Sequence, residues 1–164
     1  MKIAAGIVLA ALATATLIKS ASAQTKDVVD TAFANPQFST WAKAVKQSGM
    51  DSTLHLTPGK FTLFVPTNAA FAKMPPATLK KLFDESSEGQ EALTALVMRH
   101  AIVGTVLHAA DLKPGSLKTI MGPPVTVKTA KVGSGRTVNN AHIVQADINA
   151  SNGVIHAVDM VFPK

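Results

Sequence analysis

The side chains of this sequence that could do acid–base or metal chemistry are five histidines and ten acidic residues. The histidines are His55, His100, His108, His142 and His156, and no pair of them has the spacing of an HExxH zinc helix. The chain has no cysteine, which excludes thiolate metal sites and disulfides, and no GxSxG elbow, phosphate loop or dinucleotide fingerprint. We therefore expect no metal, no cofactor and no enzymatic activity, with a three-histidine site assembled across the fold as the open alternative.

Polar residues beside the predicted turns are better explained by structural roles than by catalysis. In Pro66-Thr67-Asn68, which follows an apolar strand, the asparagine would satisfy backbone groups at a helix start. Ser151-Asn152-Gly153 lies between two apolar strands, and we expect its last two residues to adopt positive φ. His156 alternates with apolar residues, a pattern typical of a buried histidine that donates one hydrogen bond.

The whole chain has a formal net charge of +6. Its basic residues are concentrated in one part of the chain. No acid occurs from residue 112 to residue 146, and the basic residues there are Lys113, Lys118, Lys128, Lys131 and Arg136. Such a patch would bind an acidic polysaccharide or another anionic surface, while a solvated hairpin face is the structural alternative. Nucleic acid is not expected, because the segment has no interleaved aromatic residues.

The first residues follow the order of a secretory signal. Lys2 precedes an uncharged apolar run over residues 3–18, and Ala21-Ser22-Ala23 follows it. The run is shorter than the ~20 residues that span a bilayer, so we expect cleavage after Ala23 and no membrane anchor. The sequence thus predicts a signal peptide over residues 1–23 and a single domain over 24–164. We expect an exported bacterial protein, periplasmic or extracellular, with a monomer as the default state.

The elements that must position these side chains fall into two groups. Residues 27–50 predict two helices interrupted at Asn35-Pro36, and further helices follow a strand at 61–65. From residue 100 the apolar period changes to two, and glycine and proline separate short apolar segments. The predicted strands there cover 101–103, 106–107, 117–120, 125–130, 137–138, 143–148 and 154–162. Helices first and strands second favour an α+β domain with a β-sandwich or barrel.

Three segments of the chain together resemble the fasciclin domain family. FTLFVPTNAAF at 61–71 is similar to the family's first signature, and VNNAHIVQADINASNGVIHAVDMVFP at 138–163 is similar to the second. Between them, LVMRHAIVGTVLHAADL at 96–112 is similar to the middle segment. The resemblance implies an α+β fold in which N-terminal helices pack on a twisted β-sandwich or wedge. The residues for which it implies structural roles are Pro66, Thr67, Asn68, His100, Asn139, Asp147, Ser151, Asn152, Gly153 and His156.

The resemblance also implies a secreted or surface-attached module for adhesion. Its partner would be a cell-surface protein, a matrix protein or an acidic polysaccharide. The family's middle motif usually pairs tyrosine with histidine, and animal members are associated with integrin binding through that region. Arg99 stands in the place of the tyrosine, so we do not expect that contact in this chain. An outward arginine would instead bind a carboxylate or phosphate.

Two further functions stay open on the sequence alone. Abundant Phe, Met and Leu residues near the boundary between helices and strands would line a pocket, as in a periplasmic carrier of a small apolar or aromatic ligand. The other alternative is a hydrolase of matrix or plant-wall esters that depends on His100 or His156.

Overall fold

The computed structural model describes residues 26–120, 122–129 and 135–163; the predicted signal peptide and Lys131 lie outside these ranges. The α-helices are α1 (Val28–Phe33), α2 (Ser39–Gln47), α3 (Met50–Leu56), α4 (Asn68–Ala72), α5 (Pro76–Leu82) and α6 (Ser87–Arg99). The strands are β1 (Phe61–Pro66), β2 (Ala101–Val103), β3 (Gly115–Leu117), β4 (Val125–Thr129), β5 (Arg136–Val138), β6 (Ala141–Ala150) and β7 (Gly153–Val158). Short 3₁₀ helices cover Pro36–Phe38 and Ala109–Asp111.

The N-terminal helices follow local capping rules. The Asp27 side chain accepts hydrogen bonds from the backbone N–H groups of Val29 and Asp30 and so caps α1. Gly49, with a φ of 71°, comes after α2 and leads directly into α3. Helix α3 was not predicted, because only Met50 and Leu54 of its residues are buried and they give no apolar stripe.

The strands form a seven-stranded mixed sheet in the order β2-β1-β7-β6-β5-β4-β3. Strands β1 and β7 are parallel, with Phe61 opposite Gly153 and Pro66 opposite Val158. The other neighbouring strands are antiparallel. Every residue of β1 and β7 is buried, so both faces of this central pair are covered.

Alternate residues of the central pair face two hydrophobic clusters. One contains Phe61, Leu63 and Val65 of β1 together with the buried faces of the helices. The other contains Phe64 of β1 together with β4 and β5 residues such as Val127. Because β7, β6 and β5 lie between β1 and β4, the sheet must bend back to bring β4 over β1, and irregular pairing within β6 permits the bend. The predicted α+β fold, with helices packed on β-structure, is confirmed.

Some predicted strand boundaries are wrong. Residues 106–107 form no strand; the Oγ1 atom of Thr62 instead donates to the Thr105 carbonyl and accepts from the Leu107 N–H, each at 2.9 Å. The segment predicted over 117–120 is strand only to Leu117, and β7 ends at Val158, although apolar residues continue to 162. The apolar residues beyond these strand ends lie in loops, where Ile120 and Met160 are exposed and Phe162 is buried. A period-two pattern does not distinguish such a loop from a strand.

The turn between β6 and β7 is present, but its predicted backbone geometry is wrong. Neither Asn152 nor Gly153 has positive φ. A Cβ atom at Gly153 would lie 2.1 Å from the Phe61 carbonyl oxygen, so glycine is required by the close approach of β7 to β1. The positive-φ asparagines are Asn139 and Asn140, which form the two-residue turn between β5 and β6.

We predict that Gly153→Ala lowers the free energy of unfolding by about 1–3 kcal/mol, because the added methyl group must displace the β1 backbone. Urea unfolding followed by circular dichroism measures the change. Gly135→Ala is the matched control, since a Cβ atom there meets nothing within 4 Å. Equal stability of the two variants would contradict the role given to Gly153.

Candidate functional site

His100 follows helix α6 and is fully buried. Its Nδ1 atom donates to the Leu96 carbonyl at 2.7 Å, and its Nε2 atom accepts from the backbone N–H of Phe162 at 3.1 Å. The ring stacks on Phe162 with centroids 4.3 Å apart, and Trp41 meets it edge-on. Burial lowers the pKa of His100 to about 3, although the Leu96 hydrogen bond opposes the shift. One donor and one acceptor suit a neutral imidazole, so His100 ties the C-terminal segment to α6.

His156 lies at the centre of β7 and is also fully buried. Its Nε2 atom donates to the Leu107 carbonyl at 2.7 Å, and its Nδ1 atom accepts from the Asp147 N–H at 3.3 Å. Burial lowers the pKa of His156, against the Leu107 hydrogen bond and the Asp147 charge. The two ring nitrogens therefore hold the loop at Leu107 and strand β6 against β7. Neither nitrogen is free to act as a base.

Asp147 lies in the irregular part of β6, with a φ of 57°. This backbone turns its N–H toward His156, while its Oδ1 atom accepts from the Ala109 N–H at 2.8 Å and lies 3.4 Å from Nδ1 of His108. One residue thus joins β6, β7 and the segment before β3. No periodicity of the sequence predicts the bulge that makes these contacts possible.

Asn68 caps a helix other than its own. Its Oδ1 atom accepts from the Thr40 N–H at 3.0 Å, and its Nδ2 atom donates to the Pro36 carbonyl at 3.0 Å. The first contact gives the Thr40 N–H, at the start of α2, a hydrogen-bond acceptor. The N-cap residue of α2, Phe38, has no side-chain acceptor of its own. Thr67 caps α4 by accepting from the Ala70 N–H at 3.3 Å.

Two other asparagines make similar contacts between elements that are distant in sequence. The Oδ1 atom of Asn152 accepts from the Val28 N–H at 2.9 Å, which fixes α1 to the β6–β7 turn. The Oδ1 atom of Asn139 accepts from the Thr126 N–H at 2.8 Å, which fixes the β5–β6 turn to β4. The Ser151 N–H donates to the Lys26 carbonyl at 2.9 Å. The three asparagines therefore connect elements that are distant in sequence by hydrogen bonds to backbone groups, whereas Thr67 caps its own helix.

Asp27, Asp30 and His55 bring three potential metal ligands together, with donor atoms within 4.8 Å of one another. The Asp27 carboxylate is already engaged, because Oδ1 caps α1 and Oδ2 lies 2.5 Å from Nδ1 of His55. This cluster is therefore explained by a helix cap and a side-chain hydrogen bond that connects Asp27, before α1, to α3.

The basic residues do not all share one surface. Lys113, Lys118 and Lys128 are exposed around β3 and β4, whereas Arg136 is half-buried on the face of β5 that also carries Val138. Among the described residues none of these four forms an ion pair within 4 Å.

Arg99 ends helix α6 at one side of a groove between α5, α6 and the C-terminal segment. The groove has a volume of about 510 Å³. Its apolar lining comes from Met74, Leu82, Ala92, Ala95, Leu96, Val161, Phe162 and Pro163. The Nε atom of Arg99 is buried and has no hydrogen-bond partner, and no carboxylate among the described residues lies within ion-pair distance of its guanidinium. The sequence left open a pocket between helices and strands but assigned no residues to it, because the walls of this groove are far apart in the chain.

The fold is similar to that of the FAS1 domain pair from the insect cell adhesion molecule fasciclin I, with a TM-score of 0.73 and 21% sequence identity. The similarity covers 85% of this chain and 51% of that one. A family model described as the Fasciclin domain matches residues 36–163. The chain therefore belongs to the fasciclin domain family.

Relatives with similar sequences include Protein sll1483 of Synechocystis sp., 35% identical over 149 residues, which cover 90% of this chain and 78% of the relative. Cell surface glycolipoprotein MPB83 of Mycobacterium bovis is 31% identical over 146 residues, which cover 87% of this chain and 63% of the relative. This chain thus spans less than two thirds of MPB83. Among the described residues, no helix is long and apolar enough to cross a membrane.

We predict that Asn68→Ala lowers the free energy of unfolding by about 1–3 kcal/mol, because it leaves the Thr40 N–H and the Pro36 carbonyl without these partners. Thermal or urea unfolding measures the loss. The matched control is Gln37→Ala, which removes an amide side chain at an exposed position. Equal stability of Asn68→Ala and Gln37→Ala would contradict the capping role.

The two buried histidines predict a loss of stability in acid. Between about pH 3 and 6.5 the unfolded chain binds a proton at His100 that the native state excludes, so the free energy of unfolding falls as the pH falls through this window. The slope reaches at most about 1.4 kcal/mol per pH unit for each such histidine. His156 adds to it in the same direction.

Urea midpoints between pH 7 and 5 measure this slope, and long-range ¹H–¹⁵N spectra identify the tautomers. We expect Nδ1–H in His100 and Nε2–H in His156, with neither ring titrating while the protein is folded. His142→Gln, at an exposed position, controls for the loss of a histidine as such. Titration of either buried ring near pH 6.5 in the folded protein would refute the assignment.

Proposed function

We propose that this protein is an exported adhesion or binding module whose single domain, residues 24–164, contacts an acidic polysaccharide on a cell surface or in a matrix. Membership of the fasciclin family supports the class of function, as do the names of two similar proteins, a cell adhesion molecule and a cell surface glycolipoprotein. The signal peptide predicted from the sequence of residues 1–23 supports export to the periplasm or the extracellular space.

The observation that carries the choice of partner is an exposed cationic surface around β3 and β4, formed by Lys113, Lys118 and Lys128 and called here the β3–β4 surface. Gly115 is opposite Val127 and Leu117 is opposite Val125, so Lys113 and Lys128 lie toward one end of the strand pair and Lys118 toward the other. The three ammonium groups have no ion-pair partner among the described residues, so their charge is available to an anionic chain.

Arg136 does not belong to the β3–β4 surface. It is opposite Thr129, one residue beyond the Lys128–Thr137 pair, so the pleat directs Arg136 and Lys128 to opposite faces. We therefore restrict the contact surface to the three lysines; Lys131 lies outside the described residues.

Binding without catalysis is the second part of the proposal. His100 and His156 are the histidines on which an esterase was hypothesised, and both bind backbone groups through both ring nitrogens. An active general base needs a free nitrogen within reach of a substrate proton. We accordingly expect no esterase or glycosidase activity that depends on either histidine.

We predict salt-sensitive binding to immobilised polygalacturonate and none to neutral dextran, measured by surface plasmon resonance. Raising the ionic strength from about 0.05 to 0.5 M should weaken binding strongly, because exposed charges are screened within a few ångströms at high salt. Lys113→Glu/Lys118→Glu/Lys128→Glu should abolish it.

The matched control is Lys60→Glu/Lys80→Glu/Lys81→Glu, which makes the same change in net charge at exposed positions away from β3 and β4. It should retain most of the binding. Equal loss in both triple variants would show a net-charge effect and would sink the β3–β4 surface as a specific site. The same pair of variants, expressed in the native host, tests attachment to cells and surfaces.

A further inference from the structure

The groove between α5, α6 and the C-terminal segment has the features of a small-molecule site. Its volume of about 510 Å³ lies within the ~300–1,000 Å³ range of ligand pockets, and most of its lining is apolar. Ala92 and Ala95 face it from α6, and their small side chains leave space that leucines would fill. None of the residues that support the β3–β4 surface lines it, so the two sites are independent.

Charge along the groove is polarised. Arg99 lies at the C-terminal end of α6, while Glu91 and Glu88 line the groove nearer the start of the helix. Glu91 precedes Arg99 by eight residues, which corresponds to about 12 Å along a helix. The apolar residues Ala92, Ala95 and Leu96 occupy the intervening length. A ligand in this groove therefore meets a cation at one end and carboxylates at the other.

Arg99 lines the groove without a hydrogen-bond partner at Nε and without an ion-pair partner among the described residues. Its Nε atom is buried without a hydrogen-bond partner and lies 3.5 Å from the position of a Cβ atom built on Gly122. No carboxylate among the described residues, Glu88 and Glu91 included, lies within 4 Å of its guanidinium. The Nε atom is closed to solvent, so a ligand in the groove would meet the outer Nη atoms of the guanidinium, a group that recognises carboxylates through paired hydrogen bonds.

We propose that this groove binds an amphipathic monocarboxylate, with its carboxylate on Arg99 and its apolar body along Ala95 and Ala92. The polarity of the groove selects against a second terminal anion, which would lie close to Glu91 and Glu88 and be repelled by them. This assignment goes beyond adhesion and gives the replacement of the motif's tyrosine by Arg99 a chemical role.

The test uses decanoate, whose extended chain is about as long as the distance from Arg99 to Glu91, in ¹H–¹⁵N NMR and calorimetric titrations of the processed protein. We expect saturable binding with shifts confined to amides of α5, α6 and residues 161–163. Decanol, which lacks the charge, and decanedioate, which adds a second one, should each bind at least about tenfold more weakly.

Variants separate the proposed site from non-specific detergent-like binding. Arg99→Gln should weaken decanoate binding by at least about tenfold, Arg99→Lys should retain part of it because the point charge remains, and Ala95→Phe should block the groove. Lys80→Gln removes an exposed cation from α5 and should bind normally. Circular dichroism melting confirms that each variant is folded.

Three results would overturn the proposal: no saturable binding of decanoate in the millimolar range, equal binding by folded Arg99→Gln, or binding of decanedioate as tight as that of decanoate. The Lys113→Glu/Lys118→Glu/Lys128→Glu variant should bind decanoate normally, and Arg99→Gln should bind polygalacturonate normally. Failure of the groove site and failure of the polysaccharide surface are therefore distinguishable.

Discussion

The burial of β1 and β7 on both faces is the constraint on which the rest of the structure depends. Two adjacent parallel strands, Phe61–Pro66 and Gly153–Val158, join the start of the sheet-forming chain to its end. They are covered by helices on one face and by the bent-back strands β4 and β5 on the other. With no water to satisfy them, the polar groups of these strands and their neighbours must bind one another. Gly153 has no side chain because the β1 backbone occupies that space.

Most of the polar family-motif residues fulfil this requirement. His156 and Asp147 connect β7 to β6 and to the loop after β2, while His100 connects α6 to the C-terminal segment. The side-chain oxygens of Asn68 and Asn152 accept hydrogen bonds from helix-start N–H groups that lie far away in sequence. Because both histidine rings are neutral and doubly hydrogen-bonded, they stabilise the fold at neutral pH and are unavailable for acid–base chemistry. The two proposed recognition sites use other residues, whose charges have no ion-pair partner among the described residues.

Two such places have opposite character. The β3–β4 surface is open and cationic, which suits a long, flexible, highly charged partner. The Arg99 groove is concave, largely apolar and charged at each end, which suits a small ligand with one anionic group. A single domain with both sites would hold a polymer at one surface while carrying a small acid in another.

The sequence by itself determined the α+β class, the family and several local structures, because these depend on periodicity and on residues close together in the chain. Asp27 as a helix cap, Thr67 before α4 and Gly49 after α2 are of this kind. Only the tertiary structure decided that Asn68 caps α2, that residues 106–107 are a loop, and that Arg136 and Lys128 face apart. It also decided that Arg99 lines a groove with residues as distant as Met74 and Phe162. Such contacts arise from bending and packing between distant segments, and no local pattern encodes their geometry.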